Sequence, residues 1–305
     1  MRIRLSRALP LALSLLIVAC GPSAVTPVQE AAPSTPPPAE PTPAPEPVKP
    51  ESEETAPEER EIYETVADIR YLEMIVGSAK VEDSLPMVIA LHGLGDRPEH
   101  FAELMRGLSK PMRVILPAGI IDTEEGFSWF DLRARDPDVE AFSTGVTTAA
   151  DRLATFIDAI SAARPTTGEP IITGFSQGGI VAFTIATRHP ASIAAAYPVS
   201  GWLPPPLWPK AGPDGETPPI IALHGTSDKA VKFEPTEKAV ARLQKLGYPV
   251  ELKVYPEVGH QITEEMRIEL WTQLHSSTAA LSAGKPVPAP APPKRRGKRG
   301  RKSVN

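Results

Sequence analysis

The 305-residue chain has a single cysteine, Cys20, so no internal disulfide can form. Its longest apolar stretch, Ala8 to Ala19, is too short to span a bilayer comfortably. Aromatic residues make up only 6% of the chain, and the basic C-terminal stretch has none that could stack on nucleic-acid bases. No His/Asp/Glu cluster has metal-ligand spacing, so no metal site is expected. No internal repeat is visible, which removes solenoid and propeller architectures.

What the chain does have is proline, 37 residues of it, densest near the two ends. Residues 1–19 combine a basic start (Arg2, Arg4, Arg7) with the short apolar stretch, the pattern of an export signal. The stretch ends in Ile17-Val18-Ala19-Cys20, which resembles the lipobox of bacterial lipoproteins. That resemblance implies acylation of Cys20, membrane attachment and a place in the bacterial cell envelope. Gly21 after the cysteine, in place of aspartate, implies outer-membrane retention.

Residues 20–61 are Pro, Ala, Thr, Ser and Glu with almost no large apolar side chains, so they are expected to be a disordered tether. Near 3.1 Å per residue in polyproline geometry, such a tether reaches on the order of 100 Å. Residues 281–305 return to proline and then become basic, from Lys294 to Lys302, and are also expected to be disordered. Net charge is −5 for the whole chain, and residues 281–305 hold eight basic residues and no acidic ones, so the body is strongly acidic. The tail is either a solvated end or a contact for anionic polymers; no specific nucleic-acid partner is expected.

Between 62 and 280 the pattern alternates strand and helix. Strands are expected at Val66–Gly77, Met87–Leu91, Arg113–Leu116, Pro170–Thr173, Ala194–Val199, Ile220–Leu223 and Val250–Tyr255. Helices are expected at Glu99–Leu108, Val146–Ala163, Gly178–Thr187, Glu234–Leu246 and Glu264–His275. Several of these strands are apolar throughout, which predicts an α/β domain with a mostly parallel sheet covered on both faces.

Gly174-Phe175-Ser176-Gln177-Gly178 lies between an expected strand and an expected helix. Such a turn presents a nucleophilic serine, and glycines flank it because side chains there would clash with the strained residue. A serine hydroxyl attacks well only if a base takes its proton and an acid holds that base. Reactive groups in open parallel sheets collect at the C-terminal strand ends. Of the later histidines, His189 ends a helix, His224 ends a strand ahead of the best acid, and His275 lies within the last helix. His260 follows the last strand beside Gly259 and is the best base.

Among the acids, Asp214 lies in a Pro/Gly loop and Glu234 opens a helix, whereas Asp228 follows a buried strand and is the best acid. An oxyanion site needs two backbone N–H donors. Gln177, next to the serine, and Leu94, in the loop Leu91-His92-Gly93-Leu94-Gly95-Asp96, are the candidates, with His92 bracing that loop. Trp129, Phe130 and Trp202 are candidates for the substrate-pocket wall or for ordinary packing.

Those two motifs, with Ser200-Gly201-Trp202-Leu203-Pro204, His224-Gly225-Thr226-Ser227-Asp228 and Gly259-His260, occur in the order of the phospholipase/carboxylesterase branch of the α/β-hydrolases, which includes acyl-protein thioesterases. The resemblance implies an α/β-hydrolase fold and a cofactor-free serine hydrolase acting on a small-molecule ester or thioester. It implies Ser176, Asp228 and His260 as triad, with Leu94 and Gln177 as oxyanion donors. An export signal, a lipid anchor and a basic tail depart from the typical cytosolic members. The alternative is a catalytically retired hydrolase fold that binds anionic envelope polymers.

Overall fold

The structure, a computed structural model, describes residues 63–291. The lipobox with Cys20, the tether up to residue 61 and the basic run from Lys294 lie outside the described residues.

The domain opens with a hairpin rather than the single strand expected at 66–77. β1 (Glu64–Val66) and β2 (Ile69–Val76) pair antiparallel through Val66 and Ile69. Ala67 and Asp68 between them both adopt positive φ, 45° and 60°. Two successive left-handed residues make the tight turn that suits the twist of a hairpin, and Ala-Asp carries no glycine or asparagine to announce it. Next come β3 (Met87–Leu91), α1 (Pro98–Met105) and β4 (Met112–Pro117). The two-residue strands β5 (Ile121–Asp122) and β6 (Phe127–Ser128) pair with each other in a separate small ladder, too short to give a periodic signal.

α2 (Val139–Ala163) starts seven residues before its expected position, capped by Asp138, whose carboxylate accepts from the Ala141 N–H at 2.9 Å. Phe142, Val146 and Ala149 extend the stripe of Leu153, Phe156 and Ile160 onto the sheet. β7 (Ile171–Phe175), α3 (Gln177–Arg188), β8 (Ala195–Val199), β9 (Ile220–Gly225), α4 (Phe233–Leu246) and β10 (Val250–Tyr255) follow close to expectation. α5 (Glu264–Ser282) runs two turns beyond His275, because Leu274, Thr278 and Leu281 keep an inward-facing spacing. The domain boundary expected at 280 therefore falls short. The helix ends at Ser282, and Val287 beyond it packs on the core.

The main sheet has the order β1-β2-β4-β3-β7-β8-β9-β10, parallel from β4 through β10, with β1 and β2 antiparallel. Alternate residues of each strand face opposite layers, as a pleated strand requires. Met87, Ile89 and Leu91 pack with α2, α3 and α4, while Val88 and Ala90 pack with α1 and α5. Register decides what stands where: Leu91 pairs with Gly174, Phe175 with Val199, and Tyr255 with Gly225. The loops after β3, β7, β9 and β10 therefore leave the sheet along one edge.

At the opposite end, Arg113 is fully buried and ion-pairs with Glu73, which also pairs with Arg164 at 2.7 Å. Arg113 donates further to the carbonyls of Val81 (2.7 Å) and Asp83 (3.3 Å). Removing one partner of a buried pair leaves an uncompensated charge, at a cost of about 3–5 kcal/mol. Glu73→Ala is expected to lower unfolding free energy by about that amount in urea titration; a loss within experimental error of zero would refute the role given to the network.

Candidate active site

Ser176 sits between β7 and α3 with φ 55° and ψ −117°, a strained backbone for a non-glycine residue. Its N–H donates to the Val199 carbonyl at 3.0 Å, which fixes the turn against β8. The turn closes only because α3 starts hard against β3: a Cβ on Gly178 would lie 2.4 Å from the Leu91 carbonyl oxygen and 2.6 Å from that of His92. Any larger residue at 178 would push the serine off the sheet edge.

His260, in the loop after β10, lies with Nε2 2.9 Å from Ser176 Oγ and Nδ1 2.8 Å from Asp228 Oδ2. The structure thus brings together three residues separated by up to 84 positions in the chain. Asp228, after β9, has a fully buried side chain. Its Oδ1 accepts from the Ala230 and Val231 N–H groups, both at 2.9 Å. Burial pushes its pKa up, but the neighbouring His224 imidazole and hydrogen bonds from His260 and the Val231 N–H outweigh that and hold the carboxyl well below the usual range.

An ionised carboxylate can only accept, so His260 Nδ1 carries the proton and Nε2 is left to accept from the Ser176 hydroxyl. The imidazole is held from the side as well. Phe175 stacks on it, ring centroids 4.8 Å apart at 29°. His224 Nε2 donates to the Val231 carbonyl at 2.9 Å and lies 3.5 Å from Asp228 Oδ2, bracing the acid from behind.

The loop after β3 carries Leu94. His92, fully buried, has its pKa lowered by burial, against the opposing pull of the Gly93 carbonyl. As a neutral ring it donates from Nδ1 to the Gly93 carbonyl (2.7 Å) and accepts at Nε2 from the Gly119 N–H (2.9 Å). The Gly95 N–H donates to the Phe127 carbonyl at 2.9 Å, so β6 pins the same loop. Among the described residues no backbone carbonyl outside the helices accepts from the N–H of Leu94 or Gln177. Both residues border a cavity of about 450 Å³ that also contains Ser176, His260 and Phe175.

Gln177 makes side-chain contacts that its position beside the serine did not reveal. Its side chain accepts from the Trp129 N–H at 3.0 Å and donates to the Phe130 carbonyl at 2.8 Å, clamping the segment after β6 under the site. Trp129, Phe130 and Trp202 are not pocket wall: they are 0%, 2% and 9% exposed and belong to the core. Trp129 Nε1 donates to the His92 carbonyl at 3.0 Å, Phe130 meets Phe142 edge-on, and Phe142 stacks on Trp202. Rings of that size are drawn inside by the area they bury, and here they underlie the site rather than line it.

Sequence reasoning missed Phe175 against the imidazole, the two amides that hold Asp228, and Arg133 and Arg135, which also line the cavity. Phe175 was legible as a residue of the serine turn; the arginines carried no motif. Among the described residues no group of three or more His, Cys, Asp or Glu side chains could hold a metal ion.

The depressed pKa of Asp228 has a consequence for stability. The folded state binds this proton less readily than the unfolded chain, so the contribution is complete above the unfolded value of about 3.9 and is lost as pH falls towards the folded value. The stability advantage of the wild type over Asp228→Asn is expected to shrink between about pH 5 and about pH 2 in urea titrations. A constant difference across that range would contradict it.

Known proteins resemble this chain in sequence and in fold. The Phospholipase/Carboxylesterase family matches residues 73–275. A protein of Oryza sativa subsp. japonica named as a probable carboxylesterase is 28% identical over 204 residues, covering 62% of this chain and 77% of that protein. An Arabidopsis thaliana protein named as a probable SOBER1-like carboxylesterase is 33% identical over 116 residues, and the match spans 37% of this chain and 44% of that relative. The crystal structure of esterase PE8 superposes with a TM-score of 0.57 at 24% identity, covering 66% of this chain and 98% of that one, a likeness of fold. With its mostly parallel sheet, the serine turn after β7 and a family match over two thirds of its length, the chain has the α/β-hydrolase fold and belongs to the phospholipase/carboxylesterase family.

Proposed function

We propose that this protein is a serine hydrolase that cleaves carboxylic esters or thioesters through an acyl-enzyme. The reading rests on one observation, the hydrogen-bonded series from Ser176 through His260 to Asp228, which opens on a cavity bordered by the Leu94 and Gln177 residues. Ser176 Oγ attacks the carbonyl carbon while His260 Nε2 takes its proton, and Asp228 stabilises the imidazolium that forms. The carbonyl oxygen becomes an oxyanion and accepts from the Leu94 and Gln177 N–H groups, each donor worth about 10²–10³ in rate. His260 returns the proton to the departing alcohol or thiol as the tetrahedral intermediate collapses. Water, deprotonated by the same imidazole, then releases the acid and regenerates the serine.

Turnover is favoured over a retired scaffold by the strain at Ser176, whose φ of 55° serves a presented hydroxyl and has no use in polymer binding. Three checks apply to the folded protein. A fluorophosphonate probe is expected to label Ser176, and p-nitrophenyl butyrate to be turned over. Ser176→Ala is expected to abolish both, and Asp228→Asn to lower kcat by about 10⁴-fold in protein that, though less stable, still unfolds cooperatively. Wild-type protein that melts cooperatively yet neither labels nor turns over ester would sink the proposal.

The site is proposed to work at the bacterial envelope, with acylated Cys20 supplying the anchor, in keeping with Ile17-Val18-Ala19-Cys20. Cells fed radiolabelled palmitate are expected to label the wild-type chain and not Cys20→Ser. Equal labelling of the two would remove the anchor.

A further inference from the structure

Arg133 and Arg135 lie between β6 and α2, in a turn closed by the Asp136 N–H donating to the Arg133 carbonyl at 2.9 Å. Both are exposed, and both line the cavity that holds Ser176 and His260. They border it on different sides. Arg133 also lines the neighbouring hollow beside Leu94, Gly95 and Ser128, whereas Arg135 lines the hollow beside Ser227, Gly259 and His260.

Most arginines of the domain are used in its structure: Arg70 pairs with Asp122, Arg106 with Glu103, Arg113 and Arg164 with Glu73, Arg188 with Asp151, and Arg267 with Glu264. Among the described residues neither Arg133 nor Arg135 has such a partner, although three aspartates share their segment. Asp136 accepts from the Asp138 N–H at 3.0 Å, and Asp138 caps α2, so two of the three face backbone. The other charges nearby are accounted for by name. Asp96 lines the same cavity, but its carboxylate accepts from the Arg97 N–H and His100. Glu124, Glu125 and Asp131 line the hollow beyond Arg133, and Lys229 and Glu257 the one beyond Arg135.

We propose that Arg133 and Arg135 form a carboxylate-recognition pair at the mouth of the cavity, and that the preferred substrate is an ester bearing a carboxylate a few bonds from the scissile carbonyl. The inference rests on the hydrolase reading and adds the substrate class. A guanidinium presents a planar fork of donors that matches a carboxylate in two parallel hydrogen bonds. One exposed pair changes affinity by at most about fivefold, so two guanidinium groups in a partly enclosed cavity correspond to a preference of about tenfold. The substrate reaches them against an acidic chain of net charge −5, which makes two free cations beside the nucleophile a local exception.

The test compares kcat/KM for matched ester pairs on the folded protein. Mono-p-nitrophenyl adipate against p-nitrophenyl hexanoate places the carboxylate on the acyl side, and 4-carboxyphenyl butyrate against 4-carbamoylphenyl butyrate places it on the alcohol side. In at least one pair the wild type is expected to prefer the anionic ester by about tenfold, mainly through KM, with the preference shrinking as salt rises from about 0.05 M to about 0.5 M. Arg133→Gln combined with Arg135→Gln is expected to bring the ratio to about one, and the two glutamate substitutions to invert it. A ratio near one in both wild-type pairs, or a preference that survives the double glutamine substitution, overturns the proposal. Failure of the wild type on the neutral esters and the anionic ones alike would instead count against the hydrolase reading itself.

Discussion

α3 begins almost in contact with the end of β3, and the rest of the site depends on that approach. With a Cβ on Gly178 placed only 2.4 Å from the Leu91 carbonyl oxygen, the helix can start there only as glycine. Gly201 meets the other side of the same helix, where a Cβ would lie 2.4 Å from the Gly179 carbonyl carbon. Held between the ends of β3 and β8, the turn has one conformation open to it, with Ser176 at positive φ and its hydroxyl raised above the sheet edge. Sheet register then puts the loops that follow β3, β9 and β10 within reach of that hydroxyl.

Around this turn the polar groups are organised by what each neighbour can still donate or accept. Asp228 accepts from two backbone amides and from His260, so it stays ionised in a buried position, and its ionisation fixes which nitrogen of His260 bears the proton. His92 uses both ring nitrogens to tie the Leu94 loop to Gly119, while Gln177 uses both ends of its amide to tie α3 to Trp129 and Phe130. Buried polar groups satisfied in this way are stiff, because moving one strands its partner. The aromatic rings beneath them fill the space between α2 and the sheet and make the floor rigid.

Most of the sheet was legible because strands buried on both faces read as unbroken apolar runs, and the helices between them as amphipathic stripes. Where reading stopped short, local signal was weak. Ala67-Asp68 turns the chain without a turn-forming dipeptide, β5 and β6 are two residues each, and Ser277-Thr278 hides the last turns of α5 behind polar side chains that face inward. In the site, Ser176, Asp228 and His260 could be picked out because each follows a strand with glycine close by in the chain. Trp129, Phe130 and Trp202 could not be assigned between wall and core, since their identity is the same in either place.

The sequence by itself determined the order of strands and helices, the serine turn and the residues able to serve it, because these follow from short-range pattern and backbone sterics. Only the tertiary structure decided that His260 and Asp228 meet Ser176, that His224 stands behind the acid, and that Arg133 and Arg135 face the cavity while the large aromatics turn away from it. Those outcomes depend on parallel register and on competition for buried volume among segments far apart in the chain, and no local stretch of residues carries that information.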